Sequence, residues 1–378
     1  MKVRLGDVCN IQSGGTPSRS KEAYWREGNI HWVKISDMKD QYIYDTEECI
    51  TTLGVQNSSA KIFPKDTILY SIFATIGEVS ILKIEAATNQ AIAGIQIIDN
   101  RIYANYLYYY LLSMKFKMNN IGRGVAQNNI NISILKNIEI HIRSLDEQKR
   151  IVMILDKVNQ LITKRYKQLE KLDELVKAKF VEMFGDPISN CNQLPIVSLG
   201  ELGQWSSGGT PTRTIPEYFS GDIDWYSAGE LNSLYLDSAV EKITPEAINK
   251  SAAKLFARGS LLVGMYDTAA FKMGILKRTS ASNQACACIE PNERVNIVWL
   301  YHTLQLMKDY FLSQRRGVRQ KNLNLGMIKS FYIPITDRLQ QDEFSVFVDR
   351  IEKIKTTIST NLKMLELLKK SLMQKYFF

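Results

Sequence analysis

VRLGDVCNIQSGGTPSR at residues 3–19 returns as VSLGELGQWSSGGTPTR at residues 197–213. Leu5-Gly6 stands opposite Leu199-Gly200, the Gly-Gly-Thr-Pro turn opposite its copy, and Arg19 opposite Arg213. The match runs on through Tyr24 and Tyr218 and, after one deletion, Trp32 and Trp225. AKIFPKDTILY (60–70) then matches AKLFARGSLLV (253–263), and TNQAIAGI (88–95) matches SNQACACI (282–289). Last, GRGVAQNNINISILKNIEIHI (122–142) matches QRRGVRQKNLNLGMIKSFYIPI (314–335). The blocks keep their order, so the chain is a duplication of a unit of about 190 residues, far above the periods of solenoid repeats. The Gly-Gly-Thr-Pro itself reads as structural, a turn needing positive φ before a rigid proline.

Each unit begins with some 140 residues of short β-rich runs such as DTILYSIF and AIAGIQIID, broken by Gly, Asn and Pro. That pattern predicts a mixed α/β (α+β) globular domain. The second part differs in kind. Residues 145–184 contain no Gly or Pro, and Gly185-Asp186-Pro187 then stops the segment. Ile151, Leu155, Val158, Ile162, Leu169, Leu172, Val176 and Met183 step at a 3.5-residue period, with Arg165 and Lys179 as exceptions. In the second copy Phe344, Phe347, Ile351, Ile354, Ile358, Leu365, Leu368 and Leu372 do the same, interrupted by Asn361. Such a period predicts a coiled-coil seam. A helix of this length reaches about 54 Å and overhangs a domain of this size, so its apolar stripe needs the other copy's helix as partner. The expected layout is a domain at 1–144, a helix at 145–185, a linker at 186–196, a second domain at 197–338 and a second helix at 339–378. Antiparallel pairing of the helices then predicts a pseudo-two-fold dumbbell.

Composition narrows the function. The 378 residues carry 48 Lys+Arg against 39 Asp+Glu, an excess compatible with a polyanionic partner. Five cysteines with no C-x-x-C pair argue against a disulfide framework or a zinc ribbon, and fit a reducing cytoplasm. Cys286-x-Cys288, in the run QACACIE, reads as a buried strand. No export signal and no membrane span are expected.

Catalytic motifs are missing. The sequence holds no P-loop, no complete dinucleotide fingerprint and no Asn/Asp-Pro-Pro-Tyr/Phe motif of adenine methyltransferases. Three scattered histidines (His31, His141, His302) support no triad. The residues describe a reader, without cofactor or metal of its own.

Two related domains at a fixed separation match a ligand that repeats along a line, as duplex DNA does with each turn of about 34–36 Å. The copies differ where they are not structural: ATIGEVSILK faces DTAAFKMGILK. An asymmetric bipartite site is the expected target. On these features the chain resembles the specificity subunits of Type I restriction–modification systems. LDEQKRIVMILDKVNQLI, KLDELVKAKFVEMFGDP, the paired Asn89-Gln90 and Asn283-Gln284, and the Gly-containing loops with Gln127 and Gln320 carry that resemblance over the whole chain. The family pattern has a proline before the first helix, where this chain has Arg143-Ser144 and Thr336-Asp337. The resemblance implies two target-recognition domains joined by an antiparallel coiled coil. It also implies double-stranded DNA as ligand, two modification (methyltransferase) subunits holding S-adenosylmethionine, and restriction (motor–nuclease) subunits using ATP and Mg.

Candidate DNA contacts follow from residue chemistry, since phosphates call for Lys, Arg and small polar donors and base edges for Arg, Asn, Gln and Ser/Thr. The densest set is Arg315, Arg316, Arg319, Gln320 and Lys321, with Arg123, Gln127, Asn128 and Asn129 as its counterpart. Arg19, Lys21 and Arg213 beyond the turns are candidate phosphate contacts; Lys34, Ser36, Tyr226 and Ser227 beyond the paired tryptophans are candidate base readers. Lys149, Arg150, Lys157, Lys164, Arg165 and Lys167 form either a solvated helix face or a rim for docking modification subunits. Two rivals from other classes are a self-sufficient restriction endonuclease with a degenerate nuclease centre and a protein-only coiled-coil scaffold. Magnesium-dependent nicking by the chain alone marks the first; no DNA retention even with methyltransferase subunits marks the second.

Overall fold

Two β-rich domains rise from the repeated blocks, strand for strand. The computed structural model describes residues 2–73, 75–115, 130–313 and 322–378. The first copy forms β1 (Lys2–Arg4), β2 (Cys9–Ser13), β3 (Ile30–Val33), β4 (Tyr42–Ile43), β5 (Glu48–Ile50), β6 (Ile62–Phe63), β7 (Ile68–Ser71), β8 (Val79–Leu82), β9 (Ala86–Thr88) and β10 (Ile92–Ile97). Helix α1 (Ala104–Ser113), β11 (Glu139–His141) and the long helix α2 (Leu145–Phe184) follow. The second copy gives β12 (Ile196–Ser198), β13 (Gly203–Ser207), β14 (Ile223–Tyr226), β15 (Tyr235–Leu236), β16 (Glu241–Ile243), β17 (Leu255–Phe256), β18 (Leu261–Gly264), β19 (Met273–Leu276), β20 (Ser280–Ser282) and β21 (Cys286–Pro291). It closes with α3 (Ile297–Leu306), β22 (Tyr332–Pro334) and the long helix α4 (Arg338–Phe377).

Topology repeats with the sequence. Sheets β2-β10-β7-β8-β4, β5-β3-β9-β6 and β1-β11 reappear as β13-β21-β18-β19-β15, β16-β14-β20-β17 and β12-β22. Parallel pairs (β3 with β9, β4 with β8) sit among antiparallel ones, and both recur in the second copy. Both faces of each four-stranded sheet are covered, so neighbouring residues are buried into different clusters: Trp32 and Val33 in the first copy, Trp225 and Tyr226 in the second. Cys286 and Cys288 are buried on β21, and burial pushes the Cys286 thiol up to about 12.

The chain divides into two compact units. One comprises Met1–Tyr166 with Thr360–Phe378, the other Lys167–Ser359, so the boundary falls inside both long helices. In the first unit Ile151 and Leu155 of α2 pack into a core with Tyr106, Tyr109 and Tyr110 of α1. Asn159 there accepts from Lys369 Nζ at 2.6 Å, and Tyr166 donates to Glu366 at 2.8 Å. In the second unit Phe180 and Phe184 meet Phe344 at ring distances of 5.4 and 5.7 Å, while Asp173 pairs with Lys355 at 2.8 Å. In each unit rising numbers on α2 meet falling numbers on α4. The pairing is antiparallel.

The seam of α4 needs a correction. Its shielded row runs Phe344, Val348, Ile351, Lys355, Ile358, Leu362, Leu365, Lys369 and Leu372, whereas Ile354 and Leu368 are 48% and 46% exposed. Counting apolar side chains selected the flanking residues Phe347, Ile354 and Leu368, on a row that Asn361 interrupts, because two seam positions hold lysine. Those lysines are tolerated because each ammonium has a partner at the seam, Asp173 and Glu352 for Lys355 and Asn159 for Lys369. Gly185, at φ 78°, ends α2 where Gly-Asp-Pro predicted.

Each long helix is fastened to its domain by a glutamine in the first turns. Gln148 accepts from Tyr103 N at 2.9 Å and donates to the carbonyls of Arg101 (2.7 Å) and Arg143 (2.9 Å). Gln341 accepts from Asn296 N at 2.7 Å and donates to Thr336 (2.8 Å) and Arg294 (3.3 Å). Both are 0% exposed. This bracket fixes the joint between each domain and its long helix.

Candidate nucleic-acid interface

The repeated turn is built by close backbone approach. A Cβ on Gly14 would lie 2.0 Å from Thr88 Oγ1 and 2.4 Å from Thr88 O, and one on Gly15 would lie 2.3 Å from the backbone of Ser59. Gly208 and Gly209 meet Ser282 O at 2.3 Å and Ala252 O at 2.1 Å in the same way. None of the four adopts positive φ, which corrects the expected reason for the glycines. Around them Thr16 donates to Gln90 and Thr210 to Gln284, while the indoles of Trp32 and Trp225 donate to Gly15 O (3.1 Å) and Gly209 O (3.0 Å). Asn89 and Asn283 turn their side-chain oxygens onto the amides of Ala91 and Ala285, each at 3.1 Å. The blocks that recur in sequence therefore lock to one another in space.

Arg19 and Arg213 lie just beyond this frame, each with internal partners. The Arg19 guanidinium sits 3.6 Å from the Trp25 ring centroid and 2.6 Å from Glu48. Arg213 takes Glu241 with both nitrogens, at 2.5 and 2.8 Å, over Phe219 and Trp225. Hydrogen bonds from Arg19 and then Lys34 hold the Glu48 carboxyl below the usual range. Lys34 bonds Glu47 (2.7 Å) and Glu48 (2.8 Å), which raise its own pKa. Lys21 reaches the Tyr24 hydroxyl at 3.1 Å. Ser36 is exposed on the short turn Ile35–Asp37. Ser227 caps the matching turn through Glu230, hydroxyl to carboxylate at 2.6 Å.

Tyr226 is corrected. It is 1% exposed in the core of the second domain, on a sheet covered on both faces, and burial pushes its phenol up to about 12. It takes the place of the buried Val33 and offers a partner no surface.

The densest predicted set, Arg123, Gln127, Asn128, Asn129, Arg315, Arg316, Arg319, Gln320 and Lys321, lies outside the described residues. Their described flanks are anchored alike. Before the first segment Lys115 pairs with Glu78 at 2.6 Å; after it Ile130 N donates to Ile72 O at 3.0 Å. Before the second, Phe311 stacks on Phe271 at 5.4 Å; after it Leu323 N donates to Met265 O at 2.9 Å. The described flanks of both segments thus contact the tips of matching hairpins, β7–β8 and β18–β19.

Sequence reasoning missed several residues that divide the copies. The strand position before the paired tryptophans holds His31 in one copy and a fully buried Asp224 in the other. His31 Nδ1 lies 3.1 Å from Thr46 Oγ1; Asp224 lies 3.0 Å from Arg278 Nε and 3.6 Å from Lys242. Glu48 and Glu241 were also passed over, although each follows its arginine at nearly the same spacing, 29 and 28 residues. The charge on the helices is unevenly placed. Their segments in the first unit carry nine Lys or Arg and four Asp or Glu, those in the second eight of each, so the excess belongs to the first unit. Lys149, Arg150, Lys157, Lys164 and Lys167 are exposed; Arg165 is half-buried. Among the described residues no group of His, Cys, Asp or Glu side chains is placed to hold a metal ion, and no helix is long and apolar enough to cross a membrane.

Comparison with known proteins places this geometry. Residues 1–171 and 194–367 match the profile of the Type I restriction modification DNA specificity domain. The specificity subunit of Type I restriction enzyme MjaIX of Methanocaldococcus jannaschii is 34% identical over 188 residues, 48% of this chain and 43% of that protein. The EcoR124I/EcoR124II specificity subunit of Escherichia coli is 29% identical over 163 residues, 42% of this chain and 40% of that protein. The chain thus spans about two fifths of the length of these curated relatives. The S subunit of the Type-I restriction-modification system of M. genitalium superposes with TM-score 0.60 at 14% identity, covering 100% of this chain and 96% of that one. A chain from a structure on complex assembly and conformational transition of the type I R-M system gives TM-score 0.62 at 15% identity, covering 99% and 96%. At such identities the likeness is one of fold.

Proposed function

The chain belongs to the family of Type I restriction modification DNA specificity domains, and from that premise we propose that it is the DNA-reading specificity subunit of such a system. Each domain reads one half of an asymmetric bipartite site in double-stranded DNA. The paired helices set the gap and dock two modification subunits, with restriction subunits joining for cleavage. The chain does no chemistry itself: S-adenosylmethionine, ATP and Mg belong to the partners. The assembly works in the cytoplasm.

One observation carries this function. Two domains share a frame down to the hydrogen bonds of their turns, yet differ in sequence between the shared blocks, as in ATIGEVSILK against DTAAFKMGILK. Duplicated scaffolds with unlike tips suit two unlike base sequences, because frame residues hold position while base edges are read by a few variable side chains. Exposed lysines and arginines add a phosphate term that any sequence satisfies and that weakens with salt.

The test maps methylated adenines in cells that carry this chain with its modification subunits. One asymmetric bipartite motif, lost when the chain is deleted, is expected. Adenine methylation unchanged by the deletion would refute the function.

A further inference from the structure

Gly77 (φ 89°) and Phe271 (φ 57°) close the β7–β8 and β18–β19 hairpins in left-handed backbone. Glycine enters that region freely; a phenylalanine there is strained. Phe271 is kept in place by burial, 0% exposed and stacked on Phe311 at 5.4 Å, with Phe331 at 6.1 Å. Strain held by a packed surround is a feature of functional segments.

The two tips also differ in length, and the sequence compensates. Gly77 N returns to Ser71 O at 3.1 Å, Phe271 N to Gly264 O at 2.9 Å, so the second tip holds one residue more. In the first, the Ser71 hydroxyl donates to Thr75 O and accepts from Glu78 N at 2.8 Å, bracing the tip from inside. In the second, a Cβ at Gly264 would lie 2.1 Å from Ala269 O. The added residue fills the space a serine side chain takes in the first copy. Serine with the short tip and glycine with the long one are matched pairs.

What the tips present differs accordingly. Tyr266, 37% exposed, and the exposed Thr268 lie between the buried Met265 and the buried Ala270-Phe271, so their backbone is fixed on both sides. The first tip presents Thr75. Both tips carry the anchors of the segments that hold the predicted arginine-, glutamine- and asparagine-rich contacts. We propose that these hairpin tips are base-reading elements, with Tyr266 and Thr268 determining specificity in the second domain and Thr75 in the first. Tyrosine and threonine hydroxyls both donate and accept, and the threonine methyl suits a thymine methyl, so a base edge is the chemistry they fit. This inference rests on the DNA-reading function proposed above.

The test selects bound duplexes from a pool of randomised sequence, using the full chain assembled with its modification subunits. Tyr266→Ala or Thr268→Ala is expected to lower base preference about tenfold at one or two positions of a single half-site, leaving the other half-site and the gap unaltered. Both variants should melt at the wild-type temperature, because neither residue is in the core. A bound motif and affinity identical to wild type for both variants would overturn the assignment, as would a change spread over both half-sites. Failure of the underlying function looks different: the unaltered chain itself would return no bipartite motif.

Discussion

Lys355 Nζ lies 2.8 Å from the carboxylate of Asp173, which puts a charge at a seam position where a coiled coil ordinarily has an apolar residue. Glu352, one turn back on the same helix, takes the ammonium at 2.6 Å. Burial alone would lower the Lys355 pKa, but the bonds to Asp173 and Glu352 raise it above its ordinary value. Both acids reach solvent, so the pair adds little net stability and its desolvation offsets much of its attraction. Lys355→Met, which keeps the stem and removes the charge, should leave the unfolding free energy from denaturant titration within about 1 kcal/mol of wild type or raise it. Asp173→Ala should cost about 1 kcal/mol, since Glu352 still holds the ammonium. A loss several times larger in Lys355→Met would mean that the ion pair itself holds the helices together.

Acid should weaken the second unit through His302. Burial, and then the charge of Lys355, push its pKa from the ordinary 6.5 down to about 4, and among the described residues its buried Nε2 has no hydrogen-bond partner. The unfolded imidazole takes up a proton near its ordinary value while the folded one stays neutral until about 4. Unfolded chains therefore bind more protons across that window, and stability falls as pH drops through it, by up to about 3 kcal/mol from this group. His302→Gln should flatten the stability profile between those two values. An unchanged slope in the variant would assign the acid sensitivity elsewhere.

Glycines at the repeated turn and at Gly259 should respond differently to alanine. At Gly14 the added Cβ meets the backbone of Thr88, which has no room to move, and a loss above about 3 kcal/mol is expected. Gly259 is at φ 88° with open space around it, so alanine there meets only backbone strain, about 1 kcal/mol. Thermal unfolding of the two variants checks the difference; similar small losses would show that the turn yields.

Much of this was legible in the sequence, and the failures have one source. The duplication, the long helices and the stop at Gly185 are written in local pattern, and local pattern survives folding. The α4 seam was misplaced because hydrophobicity cannot show that Lys355 and Lys369 have partners on α2, far away in the chain. Tyr226 was misplaced because position after a shared tryptophan cannot tell whether the sheet is covered on one face or two. Gln148 and Gln341 were passed over inside polar runs, where a buried glutamine looks like a solvated one. Arg19 and Arg213 matched phosphate chemistry, and nothing nearby in sequence pointed to Glu48 or Glu241.

That last point separates two kinds of arginine. Arg19 is stacked on Trp25 and paired to Glu48, so Arg19→Ala should lower the melting temperature, with little change in the salt dependence of DNA binding by the assembled complex. A phosphate contact behaves otherwise, because each neutralised phosphate contributes about one to the slope of log affinity against log salt. Arg316→Ala and Arg319→Ala, between the described flanks Phe311 and Leu323, should leave melting unchanged. Each should weaken binding by about 1–3 kcal/mol where it touches a base, or lower the salt slope by about one where it touches a phosphate. Binding by both variants equal to wild type at physiological salt would remove that segment from the interface. A reduced salt slope in Arg19→Ala at unchanged melting temperature would place Arg19 on the DNA instead of in the brace.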